Sequence, residues 1–364
     1  MKCKVRFMDD SKELNRLNKA RALIKNKLDC SGRNGIYDLT GLSGGFEISK
    51  NYLNLLETYV GPAIFSEKIN ELGVKHLSGH EGAHGAACFN RTSSAILSTI
   101  MTLSKSFKNV VHFVPERPSH PSIPKSCNIF GMKYFESDLK DEIISKIDNE
   151  TVTVITGATM DHKITSRDIA EDLINIAKNK GSITFFDDAS GARLRKLHNE
   201  PPALEMGADL VVTSMDKLMK GPRAGLLAGN KELVDKIYSE GLKFGLEAQS
   251  PIMAAVIKAI EDFDIEELKR AFKRAEHIDL NVFNKEGVSY QKTPTGFLIK
   301  GISEEQAITS AMNLLENFGI ITIAAAGMPG ASKTLRIDFC SKDADKISDE
   351  YIINAILASN PLKK

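Results

Sequence analysis

The chain carries almost no excess charge: 48 lysines and arginines stand against 47 aspartates and glutamates, a formal net charge of +1 over 364 residues. Global electrostatics therefore gives no reason to expect DNA, RNA or an anionic membrane as partner, and any polyanion would need a local patch. Cysteine is scarce as well. The five present, Cys3, Cys30, Cys88, Cys127 and Cys340, form no C-x-x-C pair, which points to reduced thiols in a cytoplasmic protein rather than a disulfide frame or a zinc knuckle. No apolar run approaches the ~18 residues of a membrane span, and the charged start MKCKVRFMDDSKEL does not read as a signal peptide. Internal repeats and low-complexity tracts are also missing.

A chain of this length exceeds one ordinary core, which predicts a large domain and a smaller one with room for an enclosed site. Residues 11 to 28 put Leu14, Leu17, Ile24 and Leu28 on roughly one helical face, with Lys12, Arg16, Lys19, Arg21, Lys25 and Lys27 elsewhere. Such a basic amphipathic helix is either a packed surface element or a polyanion-binding arm. From about residue 36 short β-rich runs appear: NVVHFV (109 to 114), TVTVITG (151 to 157), SITFFDDA (182 to 189), DLVVTSM (209 to 215) and GLLAG (225 to 229). Helical stretches such as SRDIAEDLINIAKNKG separate them. The alternation predicts an α/β fold with a mainly parallel sheet covered on both faces, and a ligand site at the carboxyl ends of its strands. After Gly245 the helical EAQSPIMAAVIKAIEDF and the 264 to 285 stretch lead into FLIKGI, GIITIAAAG and TLRIDFC, interleaved with further helices. The expected division is 36–245 as the large domain, with 1–35 plus 246–364 as a smaller α+β domain.

Residues 80 to 84, HEGAH, match the H-E-x-x-H pattern in which two histidines one helical turn apart bind zinc and the glutamate activates water. Gly79, Gly82 and Gly85 surround and interrupt it, each costing about 1 kcal/mol relative to alanine inside a helix. Helical presentation is therefore not expected, and no metal is assigned. His76, His80 and His84 read as loop residues near a polar pocket, with Glu81 as a substrate contact. A zinc hydrolase stays as an alternative that predicts stoichiometric zinc.

Three other segments fit one another. In FNRTSSAILSTIMTLSKSF, Thr92, Ser93 and Ser94 precede an apolar helical run, so hydroxyls and amides converge at a helix start, as an anion seat or as a plain cap. Arg91, just before them, is a candidate substrate contact. In FFDDASGAR a hydrophobic strand ends in Asp187 and Asp188. This acid either holds a protonated ring nitrogen or caps a turn. In TSMDKLMKGPRAG, Lys217 follows an apolar run and precedes a glycine-bearing turn, with Ser214 three residues upstream. A lone lysine is ordinarily a surface charge. The three segments in this order are the phosphate, pyridine and aldehyde anchors of pyridoxal 5'-phosphate (PLP).

TSMDKLMKGPRAGLLAG resembles the cofactor-lysine segment of bacterial selenocysteine synthase (L-seryl-tRNA(Sec) selenium transferase). From YDLTGLSGG at 37 to the LRIDF segment at 334 to 339, the chain is similar to an archaeal family of PLP-dependent proteins related to that enzyme. The resemblance implies fold type I, the aspartate aminotransferase-like architecture, as a homodimer or larger assembly with sites at subunit interfaces. By position it makes Lys217 the Schiff-base lysine, with Lys220 next in line, Asp187 the partner of the pyridine nitrogen, and Thr92, Ser93, Ser94 and Ser214 phosphate contacts. His120, in ERPSHPS, is the candidate to stack on the ring. Arg336, in LRIDF, resembles the small-domain arginine that holds the substrate carboxylate. The expected activity is β-elimination or β-replacement on an amino acid or aminoacyl substrate, akin to a selenium or sulfur transferase. Aminotransferase or lyase chemistry on a free amino acid is the alternative, and a non-catalytic tRNA-binding protein of the same fold would use the basic helix. Bacterial selenocysteine synthase carries a substantial N-terminal region used for tRNA, whereas about 35 residues precede YDLTG here, so a small amino acid is the expected substrate and tRNA the alternative. Cys88 or Cys127 as a persulfide-forming thiol competes with incidental burial.

Overall fold

The β-branched runs become strands close to where their composition places them. Among the described residues of the computed structural model, 11–328 and 331–359, the strands are, in chain order, β1 Tyr37–Asp38, β2 His84–Phe89, β3 Asn109–Phe113, β4 Lys133–Ser137, β5 Thr151–Thr156, β6 Ile183–Asp187, β7 Leu210–Ser214, β8 Gly225–Asn230, β9 Ser289–Thr293, β10 Gly296–Lys300, β11 Ile320–Ile321 and β12 Arg336–Asp338. Contacts divide the chain into Leu42–Lys269 and the described part of Met1–Gly41 with Arg270–Lys364.

The larger unit holds a seven-stranded sheet in the order β2-β8-β7-β6-β5-β3-β4. Neighbours from β4 across to β7 pair in parallel, and β8 runs antiparallel to both β7 and β2. Every residue of β5 and β7 is buried, as a strand covered on both faces requires. Parallel pairing brings the carboxyl ends of β5, β6 and β7 to one edge, where Thr156 lies opposite Asp187 and Asp187 opposite Val212. Two strands of this sheet lie outside the β-rich runs: β2, whose HGAACF has little β propensity, and the mixed KYFES of β4.

The segment 246–269 clusters with this larger unit, whereas its helical texture had placed it with the smaller domain. The cause is packing. The helix Ser250–Glu261 lies on the helix Val60–His76, with the Ser250 hydroxyl donating to the Glu57 carbonyl at 2.9 Å. Its Met253, Ala254, Val256 and Ile257 join Phe65 and Ile69 in one core.

The smaller unit pairs β10 antiparallel with β9 and β12, and β1 parallel with β11. Phe283, Phe297, Leu314, Leu315, Ile337 and Ile352 form its core. The helix Glu304–Phe318 starts at a Ser303/Gln306 capping box and ends on Gly319 at φ 70°, the left-handed position glycine tolerates. The basic helix extends over Ser11–Ser31, but its inward stripe is Leu17 and Ala20 with Leu23 and Ile24, while Leu14 and Leu28 stay exposed. Arg16 also turns inward, its guanidinium donating to the carbonyls of Ala324, Ala325 and Gly327 at 2.9, 2.6 and 2.7 Å. Among the described residues no helix is long and apolar enough to cross a membrane.

Candidate functional site

The turn between β7 and β8 carries Lys217. It is closed at its base by the Met215 N–H donating to the Ala224 carbonyl at 2.9 Å. Ser43 braces it from a distant part of the chain, its N–H donating to the Asp216 carbonyl at 2.8 Å and its hydroxyl to the Gly221 carbonyl at 2.7 Å. Leu42 forms a bridge with Lys217 itself, and Leu218 takes a positive φ of 57°. Beneath the turn the fully buried Arg193 donates to Thr213 Oγ1 and contacts the sulfurs of Met215 and Met219. A Cβ on Gly221 would run into the Met215 carbonyl oxygen. Gly221→Ala is therefore expected to cost about 1–3 kcal/mol, seen as a lower urea midpoint. An unchanged midpoint would show that the turn is not held by this close approach.

Asp187 ends β6 with its side chain buried and Oδ1 unpartnered. Burial pushes its carboxyl up to about 6, the Lys217 ammonium opposes the rise, and Asp188 adds to it. His120 is held down to about 4 by burial first, then by Lys217 and Lys125, so its imidazole is neutral near pH 7. The same lysine thus acts on the acid and on the histidine, and the fold brings Lys217, Asp187 and His120 together. Asp188 serves another purpose. It turns into the space left by Gly157 and Gly191 and pairs with the buried Arg195 at 3.4 Å.

The helix Thr92–Leu103 starts after Arg91, whose donor-only side chain leaves the first turn without a side-chain cap. The first amides of a helix lack intrahelical acceptors, so Thr92 and Ser93 present N–H groups here, and Thr92, Ser93 and Ser94 present hydroxyls; the Ser94 N–H donates to the Arg91 carbonyl at 3.0 Å. Gly225 crosses this start closely: a Cβ there would be 2.7 Å from the Arg91 carbonyl oxygen and 2.8 Å from the Thr92 nitrogen. Ser93 Oγ lies 2.9 Å from Ser122 Oγ, which lies 2.9 Å from His120 Nδ1. Ser214, expected at a phosphate, donates its hydroxyl to Asp216 Oδ1 at 2.6 Å, and Arg223 Nε pairs with Asp216 Oδ2 at 3.3 Å. Arg91 is half-buried within the field of the same Arg223 and Asp216.

Other expected residues fall elsewhere. Glu81 is exposed in a turn over residues 81–83, and His84 opens β2, so HEGAH is not presented on a helix. The His80 and His84 rings stack 5.8 Å apart, and the His80 N–H donates to His84 Nδ1 at 2.8 Å. Lys220 is exposed and pairs with Glu267 at 2.5 Å. Cys88 and Cys127 are buried, and burial pushes both thiols up to about 12, which suppresses the thiolate that sulfur transfer needs. Arg336 belongs to the smaller unit, where Nη2 reaches the Thr40 carbonyl at 3.4 Å and Nε stands 4.0 Å from Asp338 Oδ2. Ser43, Ser122 and Arg193 escaped the sequence reading because each meets the site through long-range packing, with no local motif to mark it.

A half-buried amine, a buried carboxylate with an unpartnered oxygen, and an uncapped helix start with three hydroxyls fit the aldehyde, ring nitrogen and phosphate of PLP. The family model of L-seryl-tRNA selenium transferase matches residues 144–282, a stretch that includes Asp187 and Lys217. That of the UPF0425 C-terminal domain matches residues 286–348. A UPF0425 pyridoxal phosphate-dependent protein from Methanococcus maripaludis is 70% identical over 97% of this chain and 99% of its own length. Another, from Methanothermobacter thermautotrophicus, is 44% identical over 96% and 93%. Among solved structures, alanine–glyoxylate aminotransferase from Nostoc sp. matches with a TM-score of 0.63 at 14% identity, covering 89% of this chain and 95% of that one. This likeness shows the fold, the fold type I architecture of PLP enzymes. The chain belongs to the UPF0425 family of pyridoxal phosphate-dependent proteins.

Proposed function

We propose that this protein catalyses β-elimination or β-replacement on an amino acid or aminoacyl substrate, as a transferase or lyase. The observation that carries the reading is that one stretch, 144–282, contains both Asp187 and Lys217 and matches the selenium transferase family model. When bound, PLP supplies an aldehyde that links covalently to amines and a ring that accepts the electron pair released when a bond at Cα breaks. Lys217 Nζ would hold the group covalently, and its amine, when free, would take the proton from Cα. Asp187, as a carboxylate, keeps a proton on the ring nitrogen. Thr92, Ser93 and Ser94, with the helix-start amides, hold the phosphate, and His120 covers one face of the ring. Ser214 acts by orienting Asp216 beside Lys217. Arg91 and Arg336 are proposed substrate contacts, Arg336 on the resemblance alone, as is an assembly of at least two copies.

Purified protein loaded with PLP and given serine, phosphoserine, cysteine and their tRNA esters tests the reaction. Pyruvate from serine or phosphoserine supports the proposal. Amino-group transfer to a keto acid without elimination would replace it with the aminotransferase alternative, and turnover confined to the tRNA esters would identify an aminoacyl substrate.

The role of Asp187 has a stability signature. Its carboxyl is raised from 3.8 to about 6 on folding, so between those values the folded apoprotein binds more protons than the unfolded chain and loses stability as pH rises. The deficit is complete above about pH 6 and absent below the unfolded value. Apoprotein carrying Asp187→Asn should therefore be more stable than wild type by about 2–3 kcal/mol at pH 8 and equal to it below about pH 4. PLP should stabilise wild type more than the variant. Equal urea midpoints of the two apoproteins at pH 8 would remove Asp187 from this role.

A further inference from the structure

The contacts around His120 determine which atom carries each proton. The Ser122 backbone N–H, which can only donate, points at His120 Nδ1 at 3.3 Å, and the Ser122 hydroxyl lies 2.9 Å from the same nitrogen. Nδ1 is therefore an acceptor, the ring proton is on Nε2, and Ser122 spends its one hydroxyl proton on Nδ1. Ser93 Oγ, 2.9 Å from Ser122 Oγ, must then be the donor in that contact. In this pattern the Ser93 hydroxyl has no proton left for an anion at the helix start.

An anion that accepts from Ser93 forces a rearrangement. With the Ser93 proton turned outward, two hydroxyl oxygens would face each other with no hydrogen between them unless Ser122 turns its own proton to Ser93. His120 Nδ1 then keeps only the longer bond from the Ser122 N–H. We propose that Ser122 is a positioning residue that couples occupancy of the Thr92 helix start to the hydrogen bonding of His120: a phosphate in the seat withdraws the Ser122 hydroxyl from Nδ1. This rests on the reading of that helix start as the phosphate seat. A donor to Nδ1 favours the neutral ring, so its withdrawal makes His120 more basic when the seat is filled. The charged groups facing His120 are Lys217 from the turn and Lys125 from the helix Ser122–Ile129, and neither takes part in the rearrangement. His120 thereby has two proton affinities, one for each state of the seat.

The test uses full-length apoprotein with 15N-labelled histidine and backbone amides, and inorganic phosphate as the probe. Saturating phosphate should shift the Ser93 and Ser94 amide resonances and raise the His120 titration midpoint by about one unit. In Ser122→Ala the midpoint should start higher and respond less, retaining only the direct effect of the anion's charge. Ser93→Ala should also respond less, and Ser122→Thr should restore the wild-type response. An equal His120 response in wild type and Ser122→Ala, with the helix amides shifting in both, would overturn the coupling and leave the seat standing. Helix amides unmoved at saturating phosphate would overturn both.

Discussion

Lys217→Ala is expected to end covalent capture of PLP and to lower turnover by roughly 10²–10⁴-fold or more. The side chain is half-buried at the exit of β7, where its charge acts on both Asp187 and His120. The turn itself should survive, because Met215, Ser43 and Ala224 hold it through hydrogen bonds that do not involve the lysine side chain. Two electrostatic consequences accompany the loss. Asp187 loses the charge that opposes its rise, so its carboxyl should move further up, and His120, relieved of a neighbouring cation, should become easier to protonate. Borohydride reduction, digestion and mass spectrometry should find the cofactor on residue 217 in wild type and on no lysine in the variant. A reduced adduct on Lys220 in both proteins would move the anchor there, although that residue is exposed and engaged with Glu267.

Arg195→Met is expected to be the most destabilising single change near the site, by about 3–5 kcal/mol at neutral pH. The Arg195 guanidinium is fully buried, 3.4 Å from Asp188 and 3.0 Å from Glu200. It also reaches the carbonyls of Gly157 and Thr165 at 3.4 and 3.3 Å and stacks 5.1 Å from the Phe186 ring. Methionine fills much of the volume but strands the Asp188 carboxylate in the interior. Burial already raises that carboxyl, with Arg195 the largest opposing influence and Arg193 the next. Without Arg195 it rises further. A folded-state value above the unfolded one means that stability falls as pH rises between the two, so the variant should regain part of its deficit on acidification. Removing the acid as well, with Asp188→Asn in the Arg195→Met background, should recover much of the loss. Urea denaturation across pH checks both statements. A single variant as stable as wild type at pH 8 would show that the pair contributes nothing to folding.

The parts of this molecule that could be read in advance are those whose physics is local. Runs such as TVTVIT and LVVTS announce fully buried strands, and a carboxylate or lysine immediately after such a run must lie at the sheet edge, which is why Asp187 and Lys217 were accessible from the letters alone. GARLRKL shows the opposite case. Its two arginines are fully buried: Arg195 is received by Asp188 and Glu200 on either side of its own short helix, and Arg193 by Thr213, 20 residues on, and nothing in the letters marks these pairings. Ser122 and Ser93 are separated by 29 residues, and no periodicity connects them. The segment after 245 shows the same limit: small apolar residues on one helix look alike whichever core they enter, and its close approach to Gly61 through Ser250 is a long-range contact.

The place of β8 between β2 and β7 governs the order in which this unit can be completed. During synthesis β2 emerges with residue 84, but the strand that satisfies its backbone begins only at residue 225. Until then HGAACF is an unpaired edge exposed to any neighbouring nascent chain. The βαβ units from β3 to β6 bring together strands much nearer in sequence, at a smaller entropic cost of loop closure. The turn that carries Lys217 is therefore among the last pieces of the sheet to acquire its surroundings, since the ribosome must deliver β8 before either of its neighbours has a partner on that side.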